Sequence, residues 1–274
     1  MDHERIMQKL MGYSICSGIG GLDIAFQSEY IGGQTIGYCE YDRYCQNVLW
    51  RRMQDGWLDN AAIWPDLYTL EKSIVGNVDV LYGGIPCQPH SQAGKRAGVN
   101  DSRDLWPTTF ELVREIRPKL FWLENVAGIT LGTPVQGAYV YRIFNDLSKI
   151  GYEFRWTTVR ASDIGAPHRR ERFFLLAYTT ALGDTYGQGR IRRLLAYSTG
   201  KGISFPPGPE DSGRWKNIIK QYPQLAPAIE PRIRTGPDGL TAGLDKYRRK
   251  GLAALGNGVV PQQAILAWQI LTSD

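Results

Sequence analysis

Two segments of this 274-residue chain carry residues whose types and spacing suit covalent chemistry. The first is Gly83-Gly84-Ile85-Pro86-Cys87-Gln88-Pro89-His90-Ser91, which follows the apolar run Val78 to Tyr82. A cysteine at a strand end, set among prolines and glycines, is held on a stiff exposed turn instead of being packed, as a nucleophile requires. A free thiol has a pKa of about 8.5, so basic surroundings and the approaching substrate are expected to favour the Cys87 thiolate. The second segment is Glu124-Asn125-Val126, directly after the apolar Leu120-Phe121-Trp122-Leu123. That run predicts a strand carrying the Glu124 carboxyl group to the same sheet edge as Cys87. A thiol adding to a weakly electrophilic ring needs an acid on the other side of the ring, which pairs the two residues chemically. Arg170-Glu171-Arg172 precedes a further strand, where an arginine stabilises charge as an adduct forms. The alternatives are an inert turn cysteine and a plain charged turn at Arg169, Arg170 and Arg172.

A third segment suits cofactor binding. Ser17-Gly18-Ile19-Gly20-Gly21 lies between a predicted strand, Gly12 to Cys16, and the helix start at Leu22 to Phe26. Glycines there let a backbone approach a ligand closely, with the helix N-terminus facing it. The spacing fails the dinucleotide fingerprint, because the third glycine follows the second directly. Glu40, about 20 residues further on, ends the next strand, where an acidic side chain accepts hydrogen bonds from ribose hydroxyls in nucleotide-binding sheets. Asp79 opens the strand that leads to Cys87, and an adenine amino group is the expected donor to it. A tight strand-to-helix turn, a helix cap and a surface acid are the competing readings of these residues.

The elements that must position these groups alternate in an α/β pattern through the first 180 residues, predicting a mainly parallel sheet with helices on both faces. Strands are expected at Gly12 to Cys16, Thr35 to Cys39, Val78 to Tyr82, Leu120 to Leu123, Phe154 to Arg160 and Arg172 to Ala177. An amphipathic helix is expected from Tyr44 to Met53, and another from Pro261, with Ile265, Leu266, Trp268 and Leu271 on its apolar face. Such sheets bind ligands beyond the carboxyl ends of their strands. From Gly183 to Arg249 glycine, proline and basic residues rise and apolar periodicity fades, so the chain divides into a domain of residues 1–182 with 250–274 and a small irregular region, 183–249. Between Asp184 and Lys250 there are 13 Lys or Arg and 6 Asp or Glu, a net +7 within an overall +5. A polyanionic partner accounts for that concentration, and a solvated surface lobe is the alternative. Cys16, Cys39, Cys45 and Cys87 show no paired spacing, so neither a disulfide framework nor a metal site is expected. No apolar run nears the roughly 18 residues that span a bilayer, and a cytoplasmic protein is expected.

Taken in order, the glycine loop, Glu40, Pro86-Cys87-Gln88, Glu124-Asn125-Val126, Arg170-Glu171-Arg172 and Gly256-Asn257-Gly258-Val259-Val260 resemble the C5-cytosine DNA methyltransferases. The resemblance covers most of the chain, and the ordered pair Pro-Cys-Gln and Glu-Asn-Val is its specific part. It implies a Rossmann-like, S-adenosylmethionine-dependent methyltransferase fold, with residues 183–249 as the target-recognition region. Ser17, Gly18, Ile19, Gly20, Gly21, Glu40, Tyr41, Asp79, Val80, Gly83, Leu105, Asn257 and Val259 would line the S-adenosylmethionine site. Cys87, Glu124 and Arg172 would carry catalysis, with Arg170 supporting the site by holding the catalytic loop. That loop, Gln88 to Asp104, would close over flipped DNA, with Gln88, Ser91, Lys95 and Arg103 against the duplex. Three positions depart from the family pattern: Cys16 and His90 stand where phenylalanine is usual, and His168 where glutamine is frequent. None removes a reacting group, but the recognition region is short, so no target sequence carries over.

The activity implied is extrusion of a cytosine from duplex DNA, attack of Cys87 on C6 while Glu124 hydrogen-bonds N3, and methylation at C5. The compact layout resembles phage and prophage members, acting as a monomer and paired in some systems with a cognate restriction endonuclease. A tRNA cytosine methyltransferase on the same scaffold, or a DNA-binding relative without activity, would fit the same charge distribution.

Overall fold

The computed structural model describes residues 9–86, 104–133, 137–166, 169–179, 250–251, 253–254 and 256–273, with isolated positions 213, 216, 217 and 220. Cys87, the residues to Arg103 and nearly all of 183–249 therefore lie outside the described residues. Among those described, β1 (Leu10–Ile15), β2 (Gly33–Cys39), β3 (Ala62–Trp64), β4 (Val80–Gly84) and β5 (Leu120–Val126) are parallel neighbours in the order β3-β2-β1-β4-β5. A short antiparallel pair, β6 (Gly132–Thr133) and β7 (Gly137–Ala138), stands apart. The main sheet is completed by β8 (Tyr152–Arg160) and β9 (Glu171–Thr179) in the order β5-β9-β8. Both of the last contacts are antiparallel, a reversal that alternation of apolar runs does not reveal.

Helices among the described residues include α1 (Gly21–Phe26), α2 (Arg43–Gln54), α3 (Lys72–Val75), α4 (Trp106–Ile116), α5 (Tyr139–Lys149) and α6 (Pro261–Thr272). Along β5, Phe121 and Leu123 pack with Trp106, Val113 and Ile143 on the face covered by α4 and α5. Leu120 and Trp122 point the other way, onto the face covered by α1 and α6 with Phe26, Tyr82 and Trp268. Trp122 meets Trp268 edge-on at 4.8 Å between ring centroids. A strand buried on both faces needs apolar residues at every position, which is why the run before Glu124 is continuous and not alternating. Burying a residue the size of Trp122, which is 0% exposed, contributes about 2–3 kcal/mol.

Chain order reverses between β1 and β4: successive parallel strands step one way from β1 through β2 to β3, and the other way from β4 to β5. A crevice opens at such a switch point, beyond the carboxyl ends of the two central strands. Here those ends are Ile15, leading into Ser17 to Gly21, and Gly83-Gly84, leading towards Cys87; Ile15 and Gly83 are register partners.

Candidate active site

The glycine segment is shaped by its backbone. Gly18 and Gly20 have φ of 57° and 83°, and Gly20 is the residue preceding α1. A side chain at Gly18 would meet nothing within 4 Å, so this backbone faces open space, as a cradle for a ligand does. Gly21 is pressed from behind: a Cβ there would stand 2.3 Å from the Val259 carbonyl oxygen, so the segment before α6 packs against the loop. Glu40 directly follows β2 and binds the loop, its Oε2 accepting from Gly18 N at 2.6 Å and its Oε1 from Asp42 N at 2.7 Å. Burial raises the Glu40 pKa above the usual carboxylate value, and these backbone hydrogen bonds oppose the shift. Arg52 of α2 adds a hydrogen bond to the Ile19 carbonyl, and Ser17 Oγ donates to Cys39 O at 3.3 Å.

The acid and arginine meet across β5 and β9. Val126 and Arg172 are register partners, so the start of β9 stands against the end of β5. Arg172 Nε lies 2.9 Å from Glu124 Oε1, and both side chains are largely buried. Desolvation raises the Glu124 pKa to about 7 despite the nearby charges of Arg172 and Arg170, so a carboxyl group on this edge holds its proton near neutrality. Gly84 is the β4 partner of Glu124, and a Cβ there would come within 2.7 Å of Oε2. Asn125, 3% exposed, donates from Nδ2 to the Ile85 carbonyl at 3.1 Å, which ties the end of β5 to the backbone two residues before Cys87.

The other three cysteines are unsuited to attack. Burial pushes Cys39 and Cys45 up to about 12 and Cys16 higher still, so none is a thiolate near neutral pH.

Two cofactor residues expected from the sequence are placed elsewhere. Asp79 precedes β4, at the amino end of the sheet, five residues or about 17 Å along the strand from Gly84. Its carboxylate accepts from Met11 N at 3.0 Å and pairs with Lys119 Nζ at 2.6 Å, so it fastens strands together far from the crevice. Val80 beside it is 0% exposed within the core facing α1 and α6. Ser17, Gly18, Ile19, Gly20, Gly21, Glu40 and Gly83 lie at or just past the carboxyl ends of β1, β2 and β4. Leu105 caps α4, Tyr41 projects into solvent after Glu40, and Val259 reaches Gly21 with the exposed Asn257 two residues earlier. The Arg170 guanidinium donates to the Gly258 carbonyl, binding the site to the segment before α6, while the catalytic loop it is expected to hold lies outside the described residues.

Sequence reasoning assigned no role to four residues near this site. Asp66 sits just past the carboxyl end of β3, beside Glu40, whose N–H donates to Trp64 O at 2.9 Å; three residues of strand are too few for periodicity to find. Asp23 is wholly buried in α1, accepts from Tyr82 Oη at 3.0 Å and is pushed up to about 6 by burial. Asn125 and Gln263 are buried amides whose roles depend on contacts distant in sequence.

The model of the C-5 cytosine-specific DNA methylase family matches residues 10–197, more than half of the chain. The chain belongs to that family. It is 31% identical over 171 residues to the type II methyltransferase M.NaeI of Lentzea aerocolonigenes, covering 62% of this chain and 40% of that protein. Against M.NgoMIV of Neisseria gonorrhoeae the identity is 32% over 164 residues, 60% of this chain and 50% of the relative. This family member thus spans half the length, or less, of these curated relatives. Among solved structures, a DNA modification methyltransferase encoded within a prophage (E. coli) superposes with a TM-score of 0.51 at 27% identity, over 64% of this chain and 48% of that one. DNMT2 of Spodoptera frugiperda gives 0.52 at 19% identity, over 64% and 51%, and shares the fold.

Proposed function

We propose that this methylase-family chain transfers a methyl group to C5 of a cytosine extruded from duplex DNA. The observation that carries the proposal is the buried Glu124–Arg172 pair, held at the switch-point edge beside the Asn125-anchored approach to Cys87. The Cys87 thiolate adds to C6 of the cytosine, while Glu124 donates its proton in a hydrogen bond to N3 and so draws electron density from C6. Arg172 donates to the O2 carbonyl and stabilises the charge that develops there. After C5 is methylated, loss of its proton expels the Cys87 sulfur and restores the aromatic ring. Extrusion is required because neither face of C6 is reachable inside the stacked duplex.

The crevice fits S-adenosylmethionine: the Gly18 backbone faces open space, and two carboxylates, Glu40 and Asp66, stand on the same edge. When bound, this cofactor supplies the electrophilic methyl group. Ser17 to Gly21 with Val259 would cradle it, Glu40 would accept from ribose hydroxyls, and Asp66, in place of Asp79, would face the adenine. The basic region 183–249 with Gln88, Ser91, Lys95 and Arg103 would hold the DNA. No helix of the described residues is long and apolar enough to cross a membrane. We place the chain with DNA in the cytoplasm, acting as a monomer and, as type II relatives suggest, beside a cognate restriction endonuclease.

Methyl transfer from labelled S-adenosylmethionine to unmethylated plasmid DNA and, separately, to tRNA tests this reading. Label on plasmid cytosines that Cys87→Ala abolishes is the expected result; label on tRNA alone would overturn the DNA assignment. A Cys87→Ala protein that methylates at the wild-type rate would overturn the mechanism.

A further inference from the structure

Gln263 lies in the first turn of α6, is 0% exposed, and reaches across to the sheet. Its Nε2 donates to two backbone carbonyls at once, Val159 O at 2.6 Å and Arg170 O at 2.7 Å. The two N–H bonds of one carboxamide are thereby both used. The amide cannot turn over, because its oxygen would then face two carbonyl oxygens. One of those carbonyls belongs to a residue in an uncommon conformation: Arg170 has φ of 21°, positive for a long side chain, and a backbone of this kind persists only where its surroundings hold it. Ala161 N supplies a second, weaker hold on the same carbonyl at 3.2 Å.

We infer that Gln263 is a positioning residue for the acid–arginine pair, fixing the Arg170 backbone so that its guanidinium stays on the Gly258 carbonyl, within electrostatic reach of Glu124. The geometry follows from what Arg170 joins. On one side it binds Gly258 O, next to Val259, whose carbonyl is packed against Gly21 of the glycine loop. On the other it bears electrostatically on Glu124. The only other charged side chain bearing on Glu124 among the described residues is Arg172, and the facing residue of β4 is the uncharged Gly84. Arg170 Nε is buried without a hydrogen-bond partner among the described residues, so the guanidinium is held by its backbone and by Gly258 and not by a full set of side-chain contacts. Releasing that backbone weakens the positive influence of Arg170 on Glu124. The carboxyl group then keeps its proton to higher pH, and Arg172 alone is left to orient it.

The inference rests on the methyltransferase reading above, and the test separates the two. Single-turnover methylation of plasmid DNA is followed from pH 6 to 9.5 for wild type, Gln263→Met, Arg170→Gln and the double variant, with melting temperatures measured alongside. In the wild type the rate should decline on the alkaline side as Glu124 loses its proton. In Gln263→Met that limb should move up by about half a pH unit or more, with the plateau rate reduced about 10-fold. Adding Gln263→Met to Arg170→Gln should move the limb no further, because both changes remove the same influence. A folded Gln263→Met with an unmoved limb, or additive shifts in the double variant, overturns the inference. So does failure of both Gln263→Met and Gln263→Leu to fold, which would make Gln263 a packing residue. A wild-type protein that methylates neither DNA nor RNA is a failure of the functional reading instead.

Discussion

Gly84→Ala is the sharpest single perturbation of the acid. The added Cβ would stand 2.7 Å from Glu124 Oε2, whereas ordinary contacts begin at 3.4 Å, so the carboxylate must retreat by 3.4 − 2.7 = 0.7 Å. It cannot do so freely, because its other oxygen lies 2.9 Å from Arg172 Nε in a buried pair. Displacing a catalytic group by about 1 Å costs on the order of 100-fold in rate, so a loss of about 10- to 100-fold is expected, equivalent to about 1.4–2.7 kcal/mol of transition-state stabilisation. The obstructing atom is the far end of a side chain, so the fold should lose no more than about 1–2 kcal/mol. Gly83→Ala is the control with the opposite outcome: its Cβ would lie 2.0 Å from the Ile15 carbonyl oxygen, which is backbone and cannot swing aside. That variant should unfold or melt far lower, whatever its activity. The assay is steady-state methyl transfer to plasmid DNA at fixed folded fraction, with the deficit of Gly84→Ala falling in kcat and not in the KM for DNA. A well-folded Gly84→Ala with more than half the wild-type kcat would refute the idea that Glu124 must occupy its present position.

Other outcomes follow from the same geometry. Cys87→Ser should reduce methyl transfer at least about 10³-fold, and DNA carrying 5-fluorocytosine should form an adduct with wild type, but not with the variant, that survives denaturing electrophoresis. Asp79→Asn should lower stability by about 1 kcal/mol through loss of the Lys119 pair and a weakened bond to Met11 N, yet leave the KM for S-adenosylmethionine unchanged; a KM rise of 10-fold would restore Asp79 to the cofactor site. Glu124 holds its proton in the folded protein up to about 7, against an ordinary 4.5, so the native state binds more protons than the unfolded chain between those values. Its contribution to stability therefore falls as pH rises through that window, and denaturation at pH 5 and pH 8 should show a steeper loss for wild type than for Glu124→Gln. Parallel profiles for the two proteins would contradict the raised pKa.

Much of the central sheet was legible because its strands are buried on both faces. Leu120-Phe121-Trp122-Leu123 reads as a strand without any structure, and the polar residue that ends it is then conspicuous. The same logic located Glu40 at the end of β2. It misled at Asp79, since a residue that opens a parallel strand and one that closes it look alike in sequence but stand at opposite ends of the sheet. The three-residue β3 left no pattern, so Asp66 was passed over, and α4 and α5 were covered only by a general expectation of alternation. The partners of Arg170 were beyond reach for a different reason. Gly258 and Gln263 lie 88 and 93 residues away from it, and no local spacing signals a hydrogen bond across that span.

The reversed direction of β9 has a consequence for biogenesis. Glu124 leaves the ribosome nearly 50 residues before Arg172, and until β9 docks against β5 its carboxyl group lacks the positive partner that the finished sheet provides. A chain halted before residue 169 could lay down all five parallel strands and the glycine loop and still lack half of the acid–arginine pair. Under the proposed mechanism, the acid–arginine pair is thus complete only once the last strands have joined the sheet.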